Sequence, residues 1–262
     1  MRRRPTLVAL VATLLAVAGC GNGAGTPAGS ADGTPGAPTG TVTVFAAASL
    51  TEAFTTIGHD LEAANPGLTV TLNFAGSSAL ANQIVQGAPA DVFASAAPAN
   101  MKTVTDAGLA AEQPVTFVRN QLVIAVPPGN PRHVAALADL AQPGVKVALC
   151  AEQVPCGAAA RTALDAAGVG LTPVTLEQDV KSALAKVKLG EVDAALVYRT
   201  DVHAAGDSVA GVEFPESAKA VNEYPIAVLR DAPNPAGARA FLAYVRSAEG
   251  QAVLDAAGFQ AG

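Results

Sequence analysis

Basic charge is scarce in this 262-residue chain, where 16 Lys and Arg stand against 22 Asp and Glu. With no basic patch to offset phosphate repulsion, nucleic acid is excluded as a partner. The phosphate-binding pattern G-x-x-x-x-G-K-S/T is missing, so the chain does not read as an ATPase. So is the nucleophile pattern G-x-S-x-G. No period of 20 to 50 residues repeats, which excludes a solenoid. Cysteine is limited to Cys20, Cys150 and Cys156. What is plentiful is apolar residues, half of the chain, enough for a substantial core in one or two domains.

The chain opens as an export signal. Arg2, Arg3 and Arg4 precede a thirteen-residue apolar run, too short to span a bilayer, that ends at Val17-Ala18-Gly19-Cys20. That tetrapeptide resembles a bacterial lipobox, in which Cys20 is lipidated and becomes the mature N-terminus; a plain secretory signal is the alternative. Residues 1–19 are thus a leader. Residues 20–40, almost entirely Gly, Pro, Ala, Ser and Thr, form a flexible tether. Without the leader's three arginines, 13 basic residues face 22 acidic ones, a net charge of −9. Any anion bound by this protein must be held by local dipoles. In an exported domain the nearby pair Cys150 and Cys156 favours a disulfide. A metal pair is weaker, because no histidine lies at ligand spacing.

From residue 41, strand-like runs alternate with helical periods: "TVTVFAA" then a helix from Ser49, "LTVTLNFAG" then a helix from Ser78, "ADVFASA" then a helix from Pro98. Leu50, Phe54, Ile57 and Leu61 trace the apolar face of the first helix. A second series runs through "VKVALC", "PVTLE" and "AALVYRTD", then the strand "NEYPIAVLR" and two closing helices near 235–246 and 248–257. This rhythm implies an α/β fold with parallel-rich sheets covered by helices. Breaks near 126 and 221 divide it into lobe 1 (41–125 plus 221–262) and lobe 2 (126–220). Hinges are expected near Ala125 and Pro225, and a ligand in the cleft at the carboxyl ends of the strands.

Several helix starts carry candidate donors. Ser49, with Glu52 three residues on, reads as a capping box. A hydroxyl is also a donor, however, and could offer its proton to an anion at the positive end of the helix dipole. Ala46, Ala47 and Ala48 would let that anion approach the backbone. Gly76-Ser77-Ser78 repeats the construction. In the second series Pro155 suits the first helical position, leaving the Cys156 amide unpaired, and Asp179 suits an N-cap, leaving that of Val180. Tyr198 ends its strand as a phenolic donor or as a structural residue. Asp91 reads as a turn or cap residue, and Arg161 as a surface or lobe-packing residue, not a ligand.

Taken in order, "VTVFAAASLTEAF", "FAGSSALANQI", "GAPADVFASA", "EQVPCGAAA", "EQDVKSAL", "ALVYRTD" and "EYPIAVL" resemble the molybdate-binding proteins of bacterial ABC importers. The resemblance implies a two-lobed periplasmic-binding-protein fold closing over one tetrahedral dianion. It implies ligands Ser49 and Ser77 from the first lobe, and the Cys156 and Val180 amides and the Tyr198 hydroxyl from the second. Gly76 stands where relatives often have another serine. Molybdate, with tungstate, is then the expected ligand, without a cofactor or a directly bound metal cation. The expected protein is a monomer, not an enzyme, held by its lipid at the outer face of the cell membrane and serving an ABC permease with a separate ATPase. The alternatives are a receptor for sulfate or another tetrahedral oxyanion and, distantly, a secreted hydrolase using Ser49 or Ser77. Against the hydrolase, His59, His133 and His203 all have unremarkable helix or loop settings.

Overall fold

The computed structural model describes residues 37–262, so the leader, Cys20 and residues 21–36 of the tether lie outside the described residues. The chain first runs β1 (Gly40–Ala47), α1 (Thr51–Ala64), β2 (Leu68–Ala75), α2 (Ser77–Val85), β3 (Val92–Ala94), α3 (Pro98–Asp106), β4 (Val115–Asn120) and β5 (Leu122–Val126). It continues with β6 (Val147–Cys150), α4 (Pro155–Ala167), β7 (Thr175–Glu177), α5 (Val180–Lys188), β8 (Ala194–Tyr198), α6 (Arg199–Ala205) and β9 (Ala210–Val212). It closes with β10 (Asn222–Val228), α7 (Pro235–Val245), α8 (Ala248–Ala256) and β11 (Gln260–Ala261).

These strands form two sheets, ordered β11-β4-β10-β3-β1-β2 and β7-β6-β8-β5-β9. Each has a parallel part built by helical crossovers, β1 with β2 and β3, and β6 with β7 and β8. Strands that arrive from elsewhere in the chain pair antiparallel: β10 on β3 and β4, β11 on β4, and β5 on β8 and β9. The sheets are therefore mixed, with the parallel portions where the βα rhythm is regular.

The chain crosses between sheets earlier than its sequence implies. β4 ends at Asn120 in the first sheet and β5 starts at Leu122 in the second, so the crossing is at Gln121. The expected lobe boundary at 125/126, and a hinge near Ala125, fall inside β5. The apolar run "LVIAV" belongs wholly to the second sheet because it pairs with β8 and β9. The return lies between Val212 and Asn222, and Pro225 is inside β10. Asn120 and Asn222 are register partners, so β4 leaves the first sheet beside the point where β10 enters it.

Each sheet carries its own core. Leu50, Phe54, Ile57 and Leu61 are buried as their spacing predicts, and Phe54 packs edge-on against Phe241 at 5.3 Å. Burying such a side chain stabilises the fold by about 1.5–3 kcal/mol. Leu80, Ile84, Met101 and Val104 form a second apolar cluster on the same sheet with Phe45 and Phe93, while Leu122, Ile124, Leu137, Leu164 and Val197 belong to the core of the second sheet. Among the described residues no helix is long and apolar enough to cross a membrane.

Candidate functional site

β1 and β2 end side by side, with Ala47 in register with Ala75. After Ala47 the chain makes a 3-10 turn, Ala48–Leu50, before α1 starts at Thr51. That turn moves the N-cap one residue on, from Ser49 to Leu50, so the expected capping box does not form. Ser49 is buried and its Oγ lies 2.9 Å from Tyr224 Oη. Glu52 points elsewhere, its carboxylate accepting from Lys181 Nζ at 2.7 and 2.8 Å. Ser77 is the first residue of α2, one earlier than expected, after Gly76 at the N-cap. Its Oγ accepts from the Ala96 amide at 2.9 Å, which leaves the hydroxyl proton for another acceptor.

In the second sheet α4 does begin at Pro155, with Cys156 next. The disulfide Cys150–Cys156 is present and ties the end of β6 to this first turn. Gly157 allows the tight entry, since a Cβ there would lie 2.0 Å from Ala151 O. The first amides of α4 to find a carbonyl are Gly157 and Ala158, both on Val154 O, so the Cys156 amide precedes the hydrogen-bonded ladder. Asp179 caps α5 as expected, its Oδ1 accepting from the Ser182 amide at 2.9 Å and its Oδ2 from Ser182 Oγ at 2.8 Å. Val180 is the first residue of that helix, ahead of these bonds.

Ser49, Ser77, Cys156, Val180 and Tyr198 all line one cavity between the sheets. It is small, about 10 Å³, on the order of one water-sized position. The two sides meet closely at Gly76, where a Cβ would sit 2.1 Å from Gln178 O. A much larger cleft of about 620 Å³, around Lys102, Glu112 and Arg230, contains none of the five. The five-residue cavity is another matter: a five-atom oxyanion needs more room than it offers, so the two sides must part to admit one.

Tyr198 is fully buried, and among the described residues its Oη has no hydrogen-bond partner. A buried hydroxyl without a partner costs about 1–3 kcal/mol, so such a group calls for an explanation. Burial, and then the neighbouring Tyr224 and Asp201, push its pKa well above the usual phenol range. The group therefore keeps its proton and remains a donor. Behind it lies Asp201, also fully buried, accepting from the Tyr198 amide at 3.1 Å. Asp201 Oδ1 is 3.3 Å from Lys181 Nζ. Loss of hydration lifts the Asp201 carboxyl to about 6, although Lys181 and the Tyr198 amide oppose the rise.

Tyr224, Asn120 and Lys181 escape sequence reasoning because each acts over a long separation, 175 residues in the case of Ser49 and Tyr224; Asp201 has a local partner in the Tyr198 amide, but its burial beside Lys181 is not legible from its neighbours in sequence. Asp91 is neither a simple turn nor a cap residue. It is buried, and its carboxylate ties the start of β3 to the amides of Thr43 and Asn234. Arg161 pairs at the surface with Asp165 and Glu152. The hydroxyls of Ser49 and Ser77 are bonded to Tyr224 and to a backbone amide, neither of which is a general base.

Comparison with known proteins agrees with this architecture. The family described as bacterial extracellular solute-binding protein matches residues 42–260. The molybdate-binding protein ModA of Mycobacterium bovis is 47% identical over 250 residues, covering 95% of this chain and 94% of that protein. Its namesake in Haemophilus influenzae is 33% identical over 230 residues, covering 84% and 90%. The solved periplasmic molybdate-binding protein of Azotobacter vinelandii superposes with a TM-score of 0.72 at 20% identity, over 84% of this chain and 99% of that one, which establishes the shared fold. With its two α/β sheets, the cleft between them and a family match over nearly all the described residues, the chain belongs to the bacterial extracellular solute-binding proteins.

Proposed function

We propose that the cavity binds molybdate, and also tungstate, and that the protein delivers the ion to an ABC permease driven by a separate ATPase. The observation that carries this reading is the donor set. Two serine hydroxyls, two first-turn amides and the partnerless Tyr198 hydroxyl surround a very small space, and none belongs to a charged side chain. The one carboxylate in the lining, Asp179, is engaged by Ser182. Such a ring suits an anion that has lost every proton, because a protonated oxygen would need an acceptor. Hydrogen bonds to a charged acceptor contribute about 1.5–3 kcal/mol each, so five give roughly 8–15 kcal/mol before ordering and desolvation costs. Micromolar or tighter binding is within that range. The relatives named for molybdate binding, at 47% and 33% identity, support the choice of ion.

Capture would close the lobes about the two adjacent crossings, at Gln121 and between Val212 and Asn222. The leader and Cys20 would place the monomeric protein at the outer face of the membrane as a lipoprotein. Calorimetric titration with molybdate, tungstate and sulfate tests the reading. Tight one-to-one binding of the first two is expected, with sulfate weaker and Ser49→Ala and Ser77→Ala each about 10- to 150-fold weaker. Equal affinity of both variants and wild type would refute the assigned site.

A further inference from the structure

We infer that Tyr224 is a positioning residue of this site: held by Asn120, it fixes the direction of the Ser49 hydroxyl so that Ser49 presents its proton to the bound anion. The inference rests on the reading of Ser49 as a ligand. It starts from the Gln121 amide, which donates to Asn120 Oδ1 at 3.0 Å. A backbone N–H can only donate, so the atom it meets must be the amide oxygen, and this sets which way the Asn120 side chain faces. Asn120 Nδ2 is then directed at Thr200 Oγ1, 2.9 Å away, and at Tyr224 Oη, 3.5 Å away. Both are met by donor protons. Tyr224 Oη thus accepts from Asn120 and has a single proton of its own to place.

The acceptor for that proton is Ser49 Oγ, at 2.9 Å. Were the bond reversed, with Ser49 donating, the Tyr224 proton would be left either with the neighbouring Tyr198 hydroxyl, which makes no hydrogen bond among the described residues, or with the Asn120 NH2 group, donor against donor. The order is therefore Asn120 to Tyr224 to Ser49, and the Ser49 proton remains free for the cavity that this residue lines. Every member of the chain is at least nine-tenths buried, so water does not scramble the order. Tyr224 has no other route to the ligand, since it is not among the residues lining the cavity. The relay also begins where the chain crosses between sheets, and Thr200, from the helix after β8, holds its first member. The arrangement of the two sheets and the direction of the Ser49 proton are thereby coupled.

A double-mutant cycle tests the relay: molybdate titrations of wild type, Tyr224→Phe, Ser49→Ala and the double variant, each checked for folding by circular dichroism. Tyr224→Phe is expected to weaken binding about fivefold, the size of one ordinary hydrogen bond, and to cause no further loss once Ser49 is alanine. A mere packing role would give the same loss in both backgrounds, which overturns the relay and leaves Ser49 as a ligand. No loss from Tyr224→Phe alone overturns it as well. Ser49→Ala without effect overturns both the relay and the assigned ligand. If Tyr224→Phe fails to fold, Asn120→Ala takes its place in the cycle, with the same expected dependence on Ser49.

Discussion

Replacing Asp201 by asparagine should stabilise the protein at neutral pH while leaving it nearly unchanged in mild acid. The carboxyl is fully buried and its pKa is raised from the ordinary 3.8 to about 6, chiefly by loss of hydration. In the unfolded chain the group ionises near 3.8. Between those values the native state therefore holds more protons than the unfolded state, and stability falls as pH rises through the window. The direction is opposite to that of a salt-bridged surface carboxylate. The whole interval corresponds to about 3 kcal/mol, from roughly 1.4 kcal/mol per pH unit. Asparagine cannot ionise, yet its oxygen can still accept from the Tyr198 amide, and Lys181 retains its pair with Glu52.

The quantity to follow is the difference in unfolding free energy between Asp201→Asn and wild type, by urea denaturation at a series of pH values from 4 to 7.5. It should be close to zero near pH 4 and climb to about 3 kcal/mol in favour of the variant above pH 6, with unchanged m-values. Taking the difference cancels the carboxylates common to both proteins. Parallel stability curves would refute the reasoning. So would a variant less stable than wild type at pH 7, which would mean that Lys181 outweighs the desolvation of Asp201.

Two further outcomes follow from the same region. Removing the disulfide by a joint Cys150→Ser and Cys156→Ser substitution should cost about 2 kcal/mol of stability, the loop-entropy value for so short a ring, measured by urea unfolding; an unchanged midpoint would contradict it. Lys181→Met cuts the ion pair that joins α1 of the first lobe to α5 of the second, at 2.7 Å and partly exposed, so molybdate should dissociate about two- to fivefold faster in stopped-flow at low salt. An unaltered off-rate would show that this pair does not help hold the lobes together.

Much of this arrangement is legible wherever a local rule decides it. Pro155 opens α4 because its fixed φ and missing N–H suit a first turn, and Asp179 caps α5 through the Ser182 amide. The apolar face of α1 follows from helical spacing alone, and the small residues after β1 and β2 mark the strand ends that meet at the cavity. Where the outcome depended on distant partners, local rules misled. Ser49 and Glu52 have the spacing of a capping box, but the 3-10 turn at Ala48–Leu50 separates them, and Tyr224 and Lys181 claim their side chains. The crossing at Gln121 is equally hidden, because nothing within "RNQLVIAV" tells which sheet will pair with Leu122–Val126. β4 is hard to read for a related reason: its short apolar part ends at Arg119 and Asn120, and pairing with β10 and β11 makes it a strand.

The second-lobe donors raise a separate question, since two of them are main-chain amides that ordinary substitution leaves in place. Val180 offers a way to remove one. It is the first residue of α5, so its N–H has no carbonyl within the helix and proline is tolerated there. Asp179 before it is extended, at φ −156° and ψ 167°, the conformation that a residue preceding proline adopts. Its side chain can still cap the helix through Ser182. Val180→Pro should therefore delete one donor while keeping the helix start, and weaken molybdate binding about 10- to 150-fold, the range for a hydrogen bond to a charged acceptor. Val180→Ala loses the buried side chain but keeps the amide, and should bind nearly as wild type. If alanine were as damaging as proline, the contribution of Val180 would lie in packing, and the second lobe would hold its anion without this amide.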